Sequence, residues 1–171
     1  CQASLPAVDV QTGRVLMKDK NHLCMSPDGH GGLLHALTAA DLWQDMHIRG
    51  VEHLFYCQVD NPLVRVCDPE FIGLHVSNHS QASTKVVAKR NPQEPMGAVV
   101  RLGEQTTIIE YSDLPATLVD RRDEDGQPVF WAGSTAVHMF DRSFLEQIAT
   151  DSQGLPFHTA YKKVGHLTLD E

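Results

Sequence analysis

The alternation of short apolar runs with helically patterned segments constrains the fold of this chain more than any other feature. Residues 51–59 are rich in apolar side chains, as in a strand buried on both faces, and residues 32–49 carry apolar side chains at helical spacing. The alternation continues with strands predicted at 85–89, 97–102, 106–111 and 129–140 and helices at 68–76, 114–121 and 142–150. Strands that alternate with helices predict an α/β layered domain with a largely parallel sheet, which binds ligands beyond the carboxyl ends of its strands.

Two turn signals predict hairpins within this pattern. Gln11-Thr12-Gly13 separates the apolar segments 5–10 and 15–17, and Gly103 separates 97–102 from 106–111. Gly50 is a stop signal that ends the helix at 32–49.

The charge and hydropathy of the chain argue against two classes of partner. Its 171 residues include 14 basic and 22 acidic side chains, a net charge of −8, and no basic cluster suited to a nucleic-acid backbone. No apolar stretch approaches the roughly 20 residues that span a bilayer, and no signal-peptide pattern opens the chain. We therefore expect one globular domain over residues 1–171, in the cytoplasm, that binds neither nucleic acid nor membrane; the oligomeric state stays open.

The cysteine and histidine spacings indicate no familiar metal motif. The four cysteines show no CxxC spacing, and three lie in apolar segments where a small buried thiol is usual, which favours a reducing compartment and no zinc site. The ten histidines form no HExxH or HxH pattern, so we interpret most of them as surface or packing residues.

The glycine-rich segment at 26–32 lies between a predicted strand and a predicted helix. Backbone N–H groups at the beginning of a helix are free to bind a ligand, and glycines such as Gly29 permit its close approach. The segment can therefore hold a nucleotide, or it can simply form a tight turn. It matches neither the GxxxxGK[ST] nor the GxGxxG pattern.

Asp60 follows a predicted buried strand. A carboxylate at the carboxyl end of such a strand can hold a divalent cation beside phosphates, which makes Asp60 the candidate metal ligand. The alternative is that Asp60 and Asn61 only cap the turn that follows.

Two further polar segments are candidates for a sugar pocket. The loop at 91–97 contains two prolines and ends in Gly97; it can form the wall of a pocket or a rigid connector. Glu110 ends a β-branched strand, where its carboxylate can accept hydrogen bonds from sugar hydroxyls or can be a solvated strand end.

Taken in order, these segments resemble the successive motifs of the UDP-N-acetylglucosamine and related UDP-sugar pyrophosphorylases. The similarity extends from Gln2 to about Lys163, and it is carried by four motifs at 26–32, 59–73, 85–97 and 110–113. The resemblance implies a Rossmann-like three-layer α/β/α nucleotide-diphospho-sugar transferase (GT-A-like) fold. It also implies a uridylyltransferase that forms a UDP-sugar and pyrophosphate from UTP and a sugar 1-phosphate, with N-acetylglucosamine 1-phosphate favoured and Mg²⁺ as cofactor.

The resemblance also implies roles for individual residues. Gln2, Pro27 and Gly29 would contact the uracil. Asp60 would lie beside the diphosphate and its Mg²⁺, as the catalytic residue, nucleotide ligand and metal ligand. Gly97 and Glu110 would contact the sugar, with Tyr111 close to its 2-substituent.

One motif departs from the family pattern. Where the family shows Asn-Ala-Gly-Asn before a histidine, this chain has Trp131-Ala-Gly-Ser134 before His138, so Ser134 matches the sugar-contacting asparagine. A hydroxyl lacks the reach of an amide. Glucose 1-phosphate or galactose 1-phosphate is therefore the alternative substrate.

The family's glycine-rich triphosphate motif and its C-terminal lysine segment are not found in these residues. The sequence is thus expected to be the central part of a uridylyltransferase catalytic domain, incomplete at both ends. We expect the 171-residue chain alone to be nearly inactive. The alternative to the core of a uridylyltransferase is that the fragment is only a nucleotide-sugar-binding module or an inactive folded remnant.

Overall fold

The computed structural model describes residues 3–151, 155–156, 158–159 and 161–168. They belong to two compact units. The first unit comprises Cys1–Val51 and Leu145–Glu171, and the second comprises Glu52–Phe144. In the described part of the chain, the longest helices have nine residues, and none is long and apolar enough to cross a membrane.

The first unit contains two small antiparallel strand pairs and two helices. Its elements are β1 (Ser4–Pro6), β2 (Met17–Asp19), β3 (His22–Leu23), β4 (Met25–Pro27), α1 (Gly32–Ala39) and α2 (Leu42–Ile48). Strand β1 pairs with β4, and β2 pairs with β3. The hairpin predicted around residues 11–13 is reduced to one antiparallel bridge, Val8 to Val15. Asp9 Oδ1 stabilises its turn by accepting the backbone N–H of Thr12 at 2.7 Å.

The prediction of one helix over residues 32–49 is wrong, because the helix breaks between α1 and α2. Asp41 has a φ of 52°, in the left-handed region, which does not fit a continuous right-handed helix and which aspartate tolerates better than most residues. The buried Trp43 donates its indole N–H to Thr38 Oγ1 at 2.9 Å. This bond joins the two helices across the break.

The second unit is built on a five-stranded sheet with one central strand. Its elements are β5 (His53–Tyr56), α3 (Pro69–Ser77), β6 (Ala82–Ala88), β7 (Ala98–Leu102), β8 (Gln105–Ile109), α4 (Ala116–Val119), β9 (Ala132–Asp141) and the beginning of α5 (Arg142–Thr150). Strand β9 pairs with β6 along one edge, and β5 and β7 share its other edge. Strand β8 extends the sheet beyond β7.

The prediction of a largely parallel sheet is wrong for the described strands, since every pairing in this sheet is antiparallel. Strands β5 and β6 do run in the same direction, because each is antiparallel to β9, and α3 connects them as the alternating pattern predicts. They are not neighbours, however. The long strand β9, from much later in the chain, lies between them.

Helix α3 covers one face of this sheet and contributes to its core. Phe71 of α3 is buried against Val137 and Met139 of β9, and partly buried side chains pack around them: Phe55, Cys57, Val64 and Ile72. Burying a side chain of this size stabilises a fold by about 1.5–3 kcal/mol. The helix begins as predicted, with Pro69 in the first turn and the Asp68 carboxylate accepting the N–H of Glu70 at 3.4 Å.

The strand predicted at 51–59 is shorter than expected. Strand β5 ends at Tyr56, and residues 59–60 already lie in a turn, so that Val59 is fully exposed rather than buried. The N–H of Asn61 donates to the carbonyl of Gln58 at 3.3 Å and closes this turn.

The cysteines differ in environment: Cys24 is buried, Cys57 is half-buried and Cys67 is exposed.

Candidate functional site

Strands β7, β8 and β9 bring together three of the predicted sugar-binding residues. Gly97 precedes β7 and Glu110 follows β8, so the pairing of Ala98 with Ile109 places them at the same end of the hairpin. Ser134 of β9 donates its backbone N–H to the carbonyl oxygen of Gly97 at 2.8 Å. We refer to Gly97, Glu110 and Ser134 as the sugar corner.

Gly97 is closely surrounded in this corner. A Cβ atom on Gly97 would lie 2.9 Å from Cγ2 of Ile108, and 3.5 and 3.6 Å from the two carboxylate oxygens of Glu110. Glycine therefore leaves the Glu110 carboxylate beside bare backbone. A carboxylate next to exposed backbone groups can accept hydrogen bonds from the hydroxyls of a ligand.

Ser134 also stabilises an irregularity in β9. Its Oγ accepts the backbone N–H of Ala136 at 3.3 Å, and Ala136 has a φ of 54°, which is unusual for a residue other than glycine. Next to it, Thr135 donates its hydroxyl to the carbonyl of Lys85 at 2.8 Å, where the register between β6 and β9 shifts. The hydroxyl of Ser134 thus has a local structural partner, which the sequence did not indicate.

Tyr111 follows Glu110 in a tight turn. The carbonyl of Glu110 accepts the N–H groups of Asp113 at 3.0 Å and Leu114 at 3.2 Å. The side chain of Tyr111 is about half exposed, at 55%. A ligand at the sugar corner could therefore reach it.

Asp60 lies in the exposed turn after β5. In the described part of the chain its carboxylate has no hydrogen-bond partner, whereas the side chain of Asn61 accepts the N–H of Leu63 at 3.3 Å. Asn61, rather than Asp60, is the side chain that caps this turn. Mg²⁺ in nucleotide sites is usually held by one or two carboxylates together with phosphate oxygens and water, and an exposed, unpartnered carboxylate fits that use.

The glycine-rich loop of the first unit connects β4 to α1. Pro27 ends β4, Gly29 is exposed with a φ of 82°, and the N–H of Asp28 donates to the carbonyl of Ala3 at 3.0 Å. A Cβ on Gly32 would lie only 2.6 Å from Asp28 Oδ2, so this glycine makes room for the carboxylate at the beginning of α1. Gln2 lies outside the described residues.

Sequence reasoning did not single out Asp28. Its Oδ1 is buried and accepts no hydrogen bond from the described residues. An unsatisfied buried acceptor costs stability unless a ligand or water supplies a donor. The only sequence signal was an acidic residue within the glycine-rich loop.

A partly buried ion pair links α3 to the sheet of the second unit. Lys85 Nζ of β6 lies 2.6 Å from Asp68 Oδ2, and Arg65 NH2 lies 3.6 Å from Asp68 Oδ1. The hydrogen bond from Lys85, aided by the charge of Arg65, holds the pKa of Asp68 below its ordinary value against the opposing effect of burial. This charged pair therefore positions the helix that carries part of the core.

The predicted site residues are thus grouped within units. Gly97 lies beside both Glu110 and Ser134, Tyr111 directly follows Glu110 in the chain, and Asp60 belongs to the same unit. Pro27 and Gly29 lie in the first unit.

Comparison with known proteins identifies relatives over nearly the whole chain. The family described as UTP--glucose-1-phosphate uridylyltransferase (UDPGP) matches residues 1–163. The chain is 38% identical over 167 residues to the UDP-N-acetylhexosamine pyrophosphorylase-like protein 1 of Homo sapiens, covering 97% of this chain and 33% of that protein. It is 35% identical over 164 residues to the UDP-N-acetylglucosamine pyrophosphorylase of Saccharomyces cerevisiae, covering 95% of this chain and 34% of that protein.

A solved structure shares the fold. The crystal structure of a proposed UDP-N-acetylglucosamine pyrophosphorylase from Entamoeba histolytica superposes with a TM-score of 0.81 and 31% identity, over 99% of this chain and 41% of that one. The chain thus spans about a third of the length of the curated relatives it matches. The fold is that of an α/β protein similar to UDP-sugar pyrophosphorylases.

Proposed function

Because the chain belongs to the UTP--glucose-1-phosphate uridylyltransferase family, we propose that its full-length gene product joins UTP to a sugar 1-phosphate and forms a UDP-sugar and pyrophosphate. N-acetylglucosamine 1-phosphate is the favoured sugar, in line with the name of the yeast relative. We also propose that the sheet and helices belong to a Rossmann-like, GT-A-like nucleotide-diphospho-sugar transferase fold. The observation that carries the proposal is the sugar corner, where residues matching three separate family positions meet.

In this proposal the sugar corner binds the sugar ring. Glu110 accepts hydrogen bonds from ring hydroxyls, and Gly97 leaves space for the ring to approach that carboxylate. Tyr111 lies close to the 2-substituent. A hydrogen-bonded corner of this kind orients the sugar phosphate, which is the main requirement for transfer to a nucleotide.

The glycine-rich loop of the first unit is proposed to bind the uracil. Pro27 and Gly29 present a turn with little side-chain bulk, and Gln2 is assigned to the same base by resemblance alone.

The chemistry requires charge neutralisation more than a general base. A phosphate oxygen of the sugar 1-phosphate, already anionic near neutral pH, forms a bond to the α-phosphorus of UTP as the bond to pyrophosphate breaks. Asp60 is the proposed ligand of Mg²⁺, and its exposed, unpartnered carboxylate fits that role. When bound, the cation would neutralise charge that develops on the phosphate oxygens.

Glucose 1-phosphate or galactose 1-phosphate remains the alternative substrate. Ser134 matches a position that the family resemblance assigns to a sugar-contacting asparagine, and its hydroxyl already accepts the N–H of Ala136. A pocket that lacks one amide partner discriminates less strongly for the N-acetyl group.

Pyrophosphate release by the full-length gene product, measured with UTP and a panel of sugar 1-phosphates, tests the function. We expect release with UTP, greatest with N-acetylglucosamine 1-phosphate, and none with sugar phosphate alone. Glu110→Gln, which keeps the size of the side chain, should raise KM for the sugar phosphate while KM for UTP changes little. Activity only with another nucleotide would contradict the proposal.

A further inference from the structure

Two histidines and an aspartate of the second unit converge away from the sugar corner. His53 is the first residue of β5 and pairs in register with Asp141, the last residue of β9. His75, on α3, reaches the same carboxylate. His53 Nδ1 lies 2.8 Å and His75 Nε2 lies 3.2 Å from Asp141 Oδ1.

We propose that His53, His75 and Asp141 form a binding site for a divalent transition-metal ion, with Zn²⁺ as the first candidate. One nitrogen from each histidine and one carboxylate oxygen lie within 4.8 Å of one another. Zinc bonds of about 2.0–2.2 Å to nitrogen and oxygen place tetrahedral ligand atoms roughly 3.2–3.6 Å apart. The three side chains therefore need only small shifts to enclose an ion.

The surroundings of His75 orient it for metal binding. Its side chain is fully buried, and its Nδ1 lies 2.8 Å from the hydroxyl oxygen of Ser83. If Nδ1 carries the proton and donates it to Ser83, the lone pair of Nε2 is directed toward Asp141. A second hydrogen bond of this kind commonly fixes the tautomer and ring orientation of a metal-binding histidine.

The other two ligands leave the site open to solvent. The side chains of His53 and Asp141 are 31% and 29% exposed, which provides an entry route and a place for a water molecule as fourth ligand. Three protein ligands with one open position are typical of zinc sites that are not purely structural. Two imidazoles disfavour Mg²⁺ and Ca²⁺, which prefer oxygen ligands.

This site is separate from the sugar corner and does not depend on the proposed uridylyl transfer. Asp141 lies seven residues along β9 from Ser134, roughly 20 Å at the usual rise of a strand. A bound ion would join β5, β9 and α3 at one point. Binding only to the folded chain would raise its stability.

The same contacts also occur in a network of hydrogen bonds alone, in which both imidazoles donate to Asp141. Zinc titration of the 171-residue chain separates the two cases, with the protein purified without a histidine tag and stripped with a chelator. Calorimetry should show one Zn²⁺ per chain, and Tm should rise with zinc. Cobalt should give the strong visible absorption of a four-coordinate site.

Three variants and a matched control complete the test. His53→Gln and Asp141→Asn should each weaken zinc binding by about 100-fold or more, and Ser83→Ala by about 10- to 100-fold. His22→Gln is the control, since the exposed His22–Asp19 pair has the same 2.8 Å contact, and it should leave zinc binding unchanged. Circular dichroism of each variant confirms that it folds. If His53→Gln does not fold, Asp141→Asn provides the test of the ligand set. No stoichiometric binding by the wild-type chain, or unchanged binding by both ligand variants, would overturn the proposal.

Discussion

Gly97→Ala should destabilise the second unit and weaken sugar binding. The added Cβ would lie 2.9 Å from Cγ2 of Ile108, whereas carbon atoms in contact are normally about 3.5–4.0 Å apart. The overlap of roughly 0.6–1.1 Å must be relieved by moving Ile108 or the backbone, and a β-branched side chain such as isoleucine has few alternative rotamers.

The expected magnitude follows from two opposing effects. Overpacking of this kind typically costs about 1–3 kcal/mol. Replacing glycine by alanine also reduces the entropy of the unfolded chain, which favours folding by about 0.4–1 kcal/mol. We therefore expect the free energy of unfolding to fall by about 1–2 kcal/mol. In the full-length gene product, KM for the sugar 1-phosphate should also rise, because the added methyl group would lie 3.5 Å from the Glu110 carboxylate and would occupy space beside it.

Urea unfolding of a double-mutant cycle measures the effect directly. Ile108→Ala removes the clashing Cγ2, so Gly97→Ala should cost little or nothing in that background. Gly73→Ala is a matched control, since Gly73 lies within α3 and a Cβ there meets no atom within 4 Å. That control should stabilise the helix by about 0.5–1 kcal/mol. A cost of Gly97→Ala that persists unchanged with Ile108→Ala would refute the steric explanation.

Three further predictions concern charge and specificity. Asp60→Asn in the full-length gene product should lower kcat by a factor on the order of a hundred or more with Tm unchanged; a lower Tm with normal kcat would assign Asp60 a structural role. Ser134→Asn should raise the ratio of kcat/KM for N-acetylglucosamine 1-phosphate over glucose 1-phosphate, and a flat or falling ratio would exclude Ser134 from sugar selection. The hydrogen bond from Lys85 lowers the pKa of Asp68, so the stability from this carboxylate is present above its unfolded pKa of about 3.9 and is lost as pH falls through the lower folded pKa. Lys85→Met should flatten this loss in urea midpoints measured from about pH 5 to pH 2, and an unchanged slope would count against the assignment.

Helix and hairpin positions in the second unit could be predicted because their signals are local. Asp68 and Pro69 mark the beginning of α3, and Gly103, with a φ of 62°, turns the chain between β7 and β8. The break at Asp41 could not be predicted from spacing, since apolar residues continue at helical intervals on both sides of it. The left-handed backbone conformation of Asp41 and the hydrogen bond from Trp43 to Thr38 decide where the helix breaks.

The motifs that carry the sugar corner were visible in the sequence, but their contacts were not. Gly97 begins one segment of the predicted hairpin and Glu110 lies near the end of the other, so their proximity followed from local pairing. Ser134 joins them only because β9 pairs with both β6 and β7. Its bond to Ala136 depends on a left-handed residue, for which an alanine gives no warning.

The sequence by itself determined the approximate positions of most helices and strands of the second unit, and through its ordered motifs it indicated the family. Secondary structure and family motifs can both be identified from short stretches of sequence, whose neighbouring residues share one backbone conformation. Only the tertiary structure decided that β9 separates β5 from β6 and that His53, 88 residues before Asp141, meets it together with His75. The physical reason is that long-range pairing depends on how whole strands fit together, and residue spacing along the chain does not record it.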